Sequence, residues 1–549
     1  MPRADGATPR RAGQRPSCSS TSAILEVKMI APLGPTTPAR RLRRPSIAPL
    51  LAVTFTRLLT LTLAVTVTDI GARAATLRVP GDQPTLGAAL DLTAPGDTVL
   101  VAAGLYSGPG NVGLTAPMHD FVLRSEQGAA QTTIDCAGQH RFLWMQAHTR
   151  ATHIEGFTLQ GGDATGEIYT GGGLIVGFGA SPTLSDCSFL ASRGGNNLSN
   201  GGGALAFHNS APLIERCHFE GNRSEGLYGI GGAISLYTSP AVIQDCTFSN
   251  NWTAGTLAAG GAVFAWDFSS ITLERCTFAG NQCVAEGGAV FVSFSFDGST
   301  FSGCRFVGNQ AHTAGAVFMV SGSRVLDCGF EENSAQYGGA LEEVGGLASQ
   351  ISDCLFLDNE AGVRGGAMRI VDAASTVEGC IFARNSAPEG GAIAIHGADP
   401  TIASSTFFDN AAPTGSALAL LPTQVGSHVT LTRSILVAGR LGAATSCGYD
   451  CTLTASCTDA YGNAGGDWVA CLAGQLGIDG NFSEDPRFCA PLADDWTLDA
   501  SSPCLPGQHP SGASCGLIGA QSQGCGATAV APTTWGRLKA LYGDPSPAP

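Results

Sequence analysis

Three sets of side chains in this sequence are equipped for chemistry. Phe264, Phe291 and Phe318 recur every 27 residues, with Trp266 beside the first. Lined up, such rings form an exposed strip on which sugar rings stack or another chain docks. A neighbouring loop with Phe294 and Phe296 is the competing expectation, because it would cover them. Asp327 and Glu332 recur 26 residues later as Asp353 and Asp358. Four carboxylates in one cluster could hold Ca²⁺, the alternative being a solvated acidic edge. Otherwise nothing points to a cofactor. The third set is Cys447, Cys451, Cys457, Cys471, Cys489, Cys504, Cys515 and Cys525, all within 80 residues. They are candidates for up to four disulfides of open connectivity. Zinc competes weakly, since no Cys-x-x-Cys pair occurs and only His509 is near.

What must position these side chains is a repeat. Between residues 217 and 410 the sequence reads Phe-x-x-Asn eight times, from Phe219/Asn222 to Phe407/Asn410, at intervals of 24 to 30 residues. Every copy but the last is followed by Gly-Gly-Ala or Ala-Gly-Ala and an aliphatic run. A period this short is one coil of a solenoid. Cys stands two residues before Phe in most copies, as in Cys217, Cys246 and Cys276, so the two share a strand face. An apolar residue such as Ile214 or Ile243 lies three residues before that Cys, an odd step that requires a bend. After Gly-Gly-Ala the large residues alternate, as in Leu205 and Phe207 or Ile393 and Ile395. Asn and Gly are expected at corners where positive backbone angles or close approach are needed.

The fold class expected is therefore all-β, a parallel β-helix of roughly 12 coils stacked about 4.8 Å apart. Eight Cys share an inward register from Cys187 to Cys380, and a column of buried thiols is expected there. The outward series Phe264, Phe291, Phe318, Glu342, Arg369, Ala394 makes Glu342 and Arg369 a cross-strand ion pair of little energetic weight. Before the ladder Cys, Asp186, Arg216, Asp245 and Arg275 alternate in sign and offset one another along a solvated ladder.

The ends differ from the middle. Residues 1–44 are rich in Arg, Pro, Ser and Thr and are expected to be disordered. Residues 45–74, preceded by Arg40, Arg41, Arg43 and Arg44, carry a short apolar core and end in Ala72-Arg73-Ala74, a secretory signal pattern; a membrane anchor is the alternative. Cleavage there leaves 18 basic and 41 acidic residues, a net charge of −23, which repels nucleic acid and anionic lipid. No transmembrane span is expected after cleavage. Residues 75–110 read as strand, helix (Pro84 to Thr93) and strand, a cap for the open end of a solenoid spanning 111–445. The Cys-rich segment is 446–527, and 528–549 is a Pro-rich tail expected to be disordered.

Phe-x-x-Asn followed by Gly-Gly-Ala-Ile resembles the repeats of the polymorphic outer-membrane proteins over about residues 171–420, and the cap resembles that of pectate-lyase-like β-helices. The resemblance implies a right-handed helix and a secreted or bacterial cell-surface protein, often adhesive, with polysaccharide or a host or neighbouring cell surface as partner. It departs from that family at the end, where no series of ~10-residue alternating strands makes an outer-membrane barrel.

Two function classes remain. Structural, adhesive or glycan-binding work without catalysis is favoured, because each coil looks like its neighbours. The alternative is a polysaccharide lyase or glycoside hydrolase acting on an acidic polysaccharide. A lyase needs a base, and Arg364, Arg369 and Arg384 lie near the acids; a hydrolase needs facing carboxylates at a set separation. No Asn-Thr-Asp, Asp-Asp and Gly-His-Gly set of the polygalacturonase kind occurs in the repeats.

Overall fold

The computed structural model describes residues 74–526 except 166–171, 196–200, 294–297 and 321. The expected signal segment, the N-terminal extension, the Pro-rich tail, Phe294 and Phe296 thus lie outside the described residues. The chain winds as a parallel solenoid with three long sheets. The first has 15 strands, from Thr76–Val79 to Thr452–Ser456; the second has 13, from Leu114–Thr115 to Thr445–Cys447; the third has 14, from Gly104–Ser107 to Asp459–Tyr461. Fifteen strands mean about fifteen turns rather than twelve. The additional turns lie before and after the Phe-x-x-Asn run, where other residues fill the same positions.

Register is set by like residues stacking on like. Phe219 pairs with Phe248, and Phe248 with Phe278, in the third sheet. Their rings stack 4.6–4.7 Å apart and nearly parallel, and the column continues to Phe407. The repeat Asn forms a second column. Asn281 Nδ2 donates to Asn309 Oδ1 at 3.0 Å and to the Phe248 carbonyl at 3.0 Å, while its Oδ1 accepts from the Asn251 backbone N–H at 3.0 Å. Each amide so satisfies a carbonyl and an N–H of the preceding coil and bonds to the amide of the next, in a fully buried corner.

The expectation that this Asn takes a positive φ is corrected. The left-handed residue is the one before it: Gly221 (62°), Asn250 (54°), Gly280 (63°) and Glu332 (54°). The Asn is there for its amide. The Gly-Gly pair behaves as expected: Gly260 has φ 64°, and a Cβ on Gly261 would come 2.0 Å from the Gly288 carbonyl of the next coil. The bend between Ile214 and Cys217 is made by Arg216, at φ 51°.

Both ends are closed. At the start, Thr85 caps a five-residue helix, Leu86–Leu90, through the Ala88 N–H at 3.3 Å, and Leu86, Ala89 and Leu90 are buried in the core. At the far end Leu472 is buried in that same core, with Trp468 and Cys471 packed against it. The remaining Cys-rich segment folds back onto the outer face of the third sheet. There Trp496, Leu498, Leu505 and Ile518 cover Ile381, Phe408, Ile435 and Val437.

Candidate functional site

The outer face of the second sheet carries the predicted aromatic strip. Phe264 pairs with Phe291 and Phe291 with Phe318, their rings stacked 5.3 and 5.2 Å apart. The strip is not exposed: the three rings keep 7%, 4% and 7% of their accessibility. Ile230, Ala259 and Ala314, from the bend preceding the Gly-Gly turn, pack over them. Only Trp266, stacked on Phe264 and Phe291 at 6.0 Å, stays partly exposed.

Beyond Phe318 the same column turns polar. Glu342 pairs with Arg369, whose Nη1 lies 2.7 Å from Glu342 Oε1. The Glu342 side chain is 4% exposed and that of Arg369 19%, so this is a buried pair and not the low-energy surface pair expected. Burial raises the Glu342 carboxyl to about 7, with Arg369 pulling it down and Glu286 pushing it up. Arg369 also lies over the Tyr337 ring at 5.0 Å. His396 lies within reach of the Arg369 and Arg364 charges; burial first, then those charges, lower it to about 3. Glu342 Oε2, Arg369 Nε and His396 Nε2 are buried without a hydrogen-bond partner among the described residues.

One coil position inward, Glu343 points into the core, in line with Met319 and Ile370. The Ser375 hydroxyl lies 2.6 Å from its carboxylate, and burial raises that carboxyl. Sequence reading missed it because Leu341-Glu342-Glu343-Val344 breaks the apolar alternation.

The four acids fall at two different corners. Asp327 and Asp353 precede the ladder Cys, and Glu332 and Asp358 precede the repeat Asn, all at φ 52–55°. Burial raises Asp327 and Asp353, the latter also through Asp327. Asp358 is held by Arg384 at 3.0 Å, which also reaches Asp494 at 2.9 Å. Among the described residues no three His, Cys, Asp or Glu side chains come together as a metal site. The alternating charges do meet: Arg216 binds Asp186 at 2.9 Å and Arg275 binds Asp245 at 2.7 Å.

Three disulfides tie the Cys-rich segment: Cys447–Cys471, Cys457–Cys515 and Cys489–Cys525. Cys451 and Cys504 are free thiols, as is the whole ladder from Cys187 to Cys380. Cys504 instead sits 3.6 Å from Asp459 Oδ2, in a place so enclosed that burial raises that carboxyl to about 8.

Two surfaces escaped the sequence reading. Four residues after the repeat Ala, at the end of each second-sheet strand, His208, Tyr237 and Trp266 follow Phe178 on successive coils. Trp144 stacks on Phe178 at 5.1 Å, Phe178 on His208 at 4.7 Å, and His208 lies 6.1 Å from Tyr237. Trp144, Phe178, Tyr237 and Trp266 are all partly exposed. The second surface starts one residue after the repeat Asn, where Trp252, Gln282, Gln310, Ser334 and Glu360 form a row. They line a groove of about 560 Å³.

A family profile described as "Right handed beta helix region" matches residues 144–335 and 243–407. No curated protein matches the chain. Among solved structures the chain is similar to the catalytic domain of a GH87 α-1,3-glucanase variant in complex with tetrasaccharides. Identity there is 12% and the TM-score 0.40, over 69% of this chain and 68% of that one. It is also similar to a PL6 alginate lyase in complex with trisaccharide, at 13% identity and TM-score 0.38 over 76% of this chain and 90% of that one. The A-module of the Azotobacter vinelandii mannuronan C-5 epimerase AlgE6 gives 14%, 0.34, 73% and 94%. Likeness at this level carries nothing about activity. Parallel pairing of three long sheets and the profile match together make this chain a right-handed parallel β-helix repeat protein.

Proposed function

We propose that this is a secreted or cell-surface β-helix whose outer face binds glycans without catalysis. The observation that carries the reading is the row of rings Trp144, Phe178, His208, Tyr237 and Trp266 on successive coils, the first three stacked and all but His208 partly open to solvent. Rings set in a row in this way present apolar surface with polar tips, to which the apolar faces of sugars and their hydroxyls bind together. Three disulfides fit an oxidising compartment, and no helix of the described residues is long and apolar enough to cross a membrane. Ca²⁺ has no part in this reading.

The test is a binding panel of neutral and acidic polysaccharides against the protein and its Tyr237→Ala/Trp266→Ala variant, with new reducing ends and unsaturated products followed in the same samples. Binding that falls in the variant, with no product formed, supports the reading. Binding unchanged in the variant removes the ring column from it.

A catalytic reading has one observation in its favour: Glu342 holds its proton close to neutral pH beside Arg369, as a general acid must. Product formation that disappears in Glu342→Gln would establish a lyase or hydrolase instead.

A further inference from the structure

The groove beside the Asn column is lined almost wholly by uncharged residues. Its one wall is the row Trp252, Gln282, Gln310, Ser334 and Glu360, one residue per coil. Two residues further along each coil, Val284, His312, Gln336 and Gly362 form the second wall. Between the walls the floor is Cys283, Ala311 and Ala335. Gln282, Gln310 and Gln336 are exposed, and their amides make no hydrogen bond within the described residues. Trp252 is half-buried at the end of the row, steadied by Arg223 at 5.9 Å from its ring.

No Lys or Arg lines the groove, and its one carboxylate is Glu360. A carboxylated or sulfated polymer would meet no Lys or Arg among the lining residues, Arg223 standing beyond the Trp252 end, and a net charge of −23 on the chain beyond residue 74. Amides both donate and accept, which matches hydroxyl groups that do the same. Trp252 supplies the flat apolar face on which a sugar ring lies. Because the row advances by one coil at a time, about 4.8 Å, the free amides are spaced along the solenoid axis and suit an extended chain lying parallel to it.

We infer that this groove binds an uncharged, hydroxyl-rich polysaccharide chain, with Trp252 as the stacking platform and Gln282, Gln310 and Gln336 as its hydrogen-bonding row. The groove is a different set of residues from the ring column of the second sheet, so either reading can fail alone.

The experiment is affinity electrophoresis and calorimetry of the full chain with soluble dextran, mannan and mixed-linkage glucan, and with alginate and polygalacturonate as acidic probes. Trp252→Ala and Gln310→Ala are compared with Tyr237→Ala/Trp266→Ala. The inference expects at least one neutral polymer to bind, with affinity unchanged between low and high salt. It expects binding to weaken about tenfold or more in Trp252→Ala and measurably in Gln310→Ala, whose exposed side chain can be removed without disturbing the fold. It is overturned by preference for the acidic probes, by steep salt dependence, by binding within twofold of the parent in both groove variants, or by no neutral polymer binding. Loss in the ring-column variant alone would overturn the groove and leave the ring column standing; loss in the groove variants alone would do the reverse.

Discussion

Arg369 and Glu342 are equivalent residues of adjacent coils, and their side chains meet at 2.7 Å beneath a surface that leaves the carboxylate 4% exposed. Three aromatic coils precede them in the same column, so the pair closes the end of a buried apolar strip. An ion pair so placed is held by the cost of losing either member.

Arg369→Met should therefore destabilise the protein by about 3–5 kcal/mol above about pH 8, where Glu342, its carboxyl at about 7, is charged and would be left buried and unpaired, and by less below pH 7. Glu342→Leu/Arg369→Met should recover most of that loss. Urea unfolding of the three proteins measures both; a single-variant loss under ~1 kcal/mol would show that water reaches the carboxylate freely.

The Asn column makes a positional prediction. Asn309 bonds to the Phe278 carbonyl and to Asn333, and accepts from both Asn281 donors, at 2.9–3.0 Å. Asn309→Ala strands a buried carbonyl and a buried N–H, at about 1–3 kcal/mol each. Asn410 ends this run of the column: its Nδ2 bonds to the Phe382 carbonyl and its Oδ1 accepts from both Asn385 donors, but among the described residues no following Asn amide accepts from it. Asn410→Ala strands the Phe382 carbonyl and the Asn385 N–H in the same way and should cost about as much, and a loss under ~1 kcal/mol at either site would contradict the column's role.

That column shows why the fold was legible and the surfaces less so. Phe219, Asn222 and Gly232 recur because stacking, amide bonding and coil-to-coil contact each admit one residue type, and a constraint repeated in every coil becomes a motif. The role of Asn was misread because backbone angle and hydrogen bonding favour the same residue. Outward positions obey no such rule. Phe264 could be placed on the outer face by alternation, yet its cover comes from Ile230 and Ala259, on other stretches of chain. The ring column and the glutamine row were present at fixed offsets from Ala and Asn. They are columns of unlike residues, which periodicity does not single out.

His208 lies in the ring column at 7% exposure, its Nε2 without a partner among the described residues, and burial lowers it to about 4. The unfolded chain binds this proton from about pH 6.5 downward while the folded protein does not, so stability falls as pH drops from 6.5 to 4. The full loss is about 3 kcal/mol. His208→Phe keeps a ring between Phe178 and Tyr237 and removes the titration. Its melting temperature should gain on the parent only below pH 6.5; a constant difference from pH 7 to 4 would refute the assignment.

Thiol counting separates the ladder from the disulfides. Alkylation of the native protein should modify Cys451, which is half-buried, and spare the ladder. In denaturant without reductant, all 12 free cysteines of the described residues should react, and the six in Cys447–Cys471, Cys457–Cys515 and Cys489–Cys525 only after reduction. Peptide mass spectrometry reads each site. Unreactive neighbours such as Cys246 and Cys276 in the denatured, unreduced sample would mean that the ladder is cross-linked between coils.

Glu343 poses the sharpest energetic question, since a carboxyl occupies a core position that Met319 and Ile370 fill in the coils on either side. Its bonds to Ser375 and Ser349 do not offset burial, which raises the carboxyl above its ordinary value. Between the unfolded value near 4.3 and the raised folded one, the folded state holds the proton and the unfolded state releases it, so the contribution to stability declines as pH rises through that window. Glu343→Met restores the apolar column and leaves two hydroxyls with one partner fewer. Removal of the carboxyl should outweigh that and stabilise the protein at pH 7–8 by roughly 1–3 kcal/mol, with the gain shrinking toward pH 4. A destabilised variant at pH 7 would mean that the Ser349, Ser375 and Glu343 bonds hold the turn between the second and first sheets, and that the coil keeps its buried acid for that purpose.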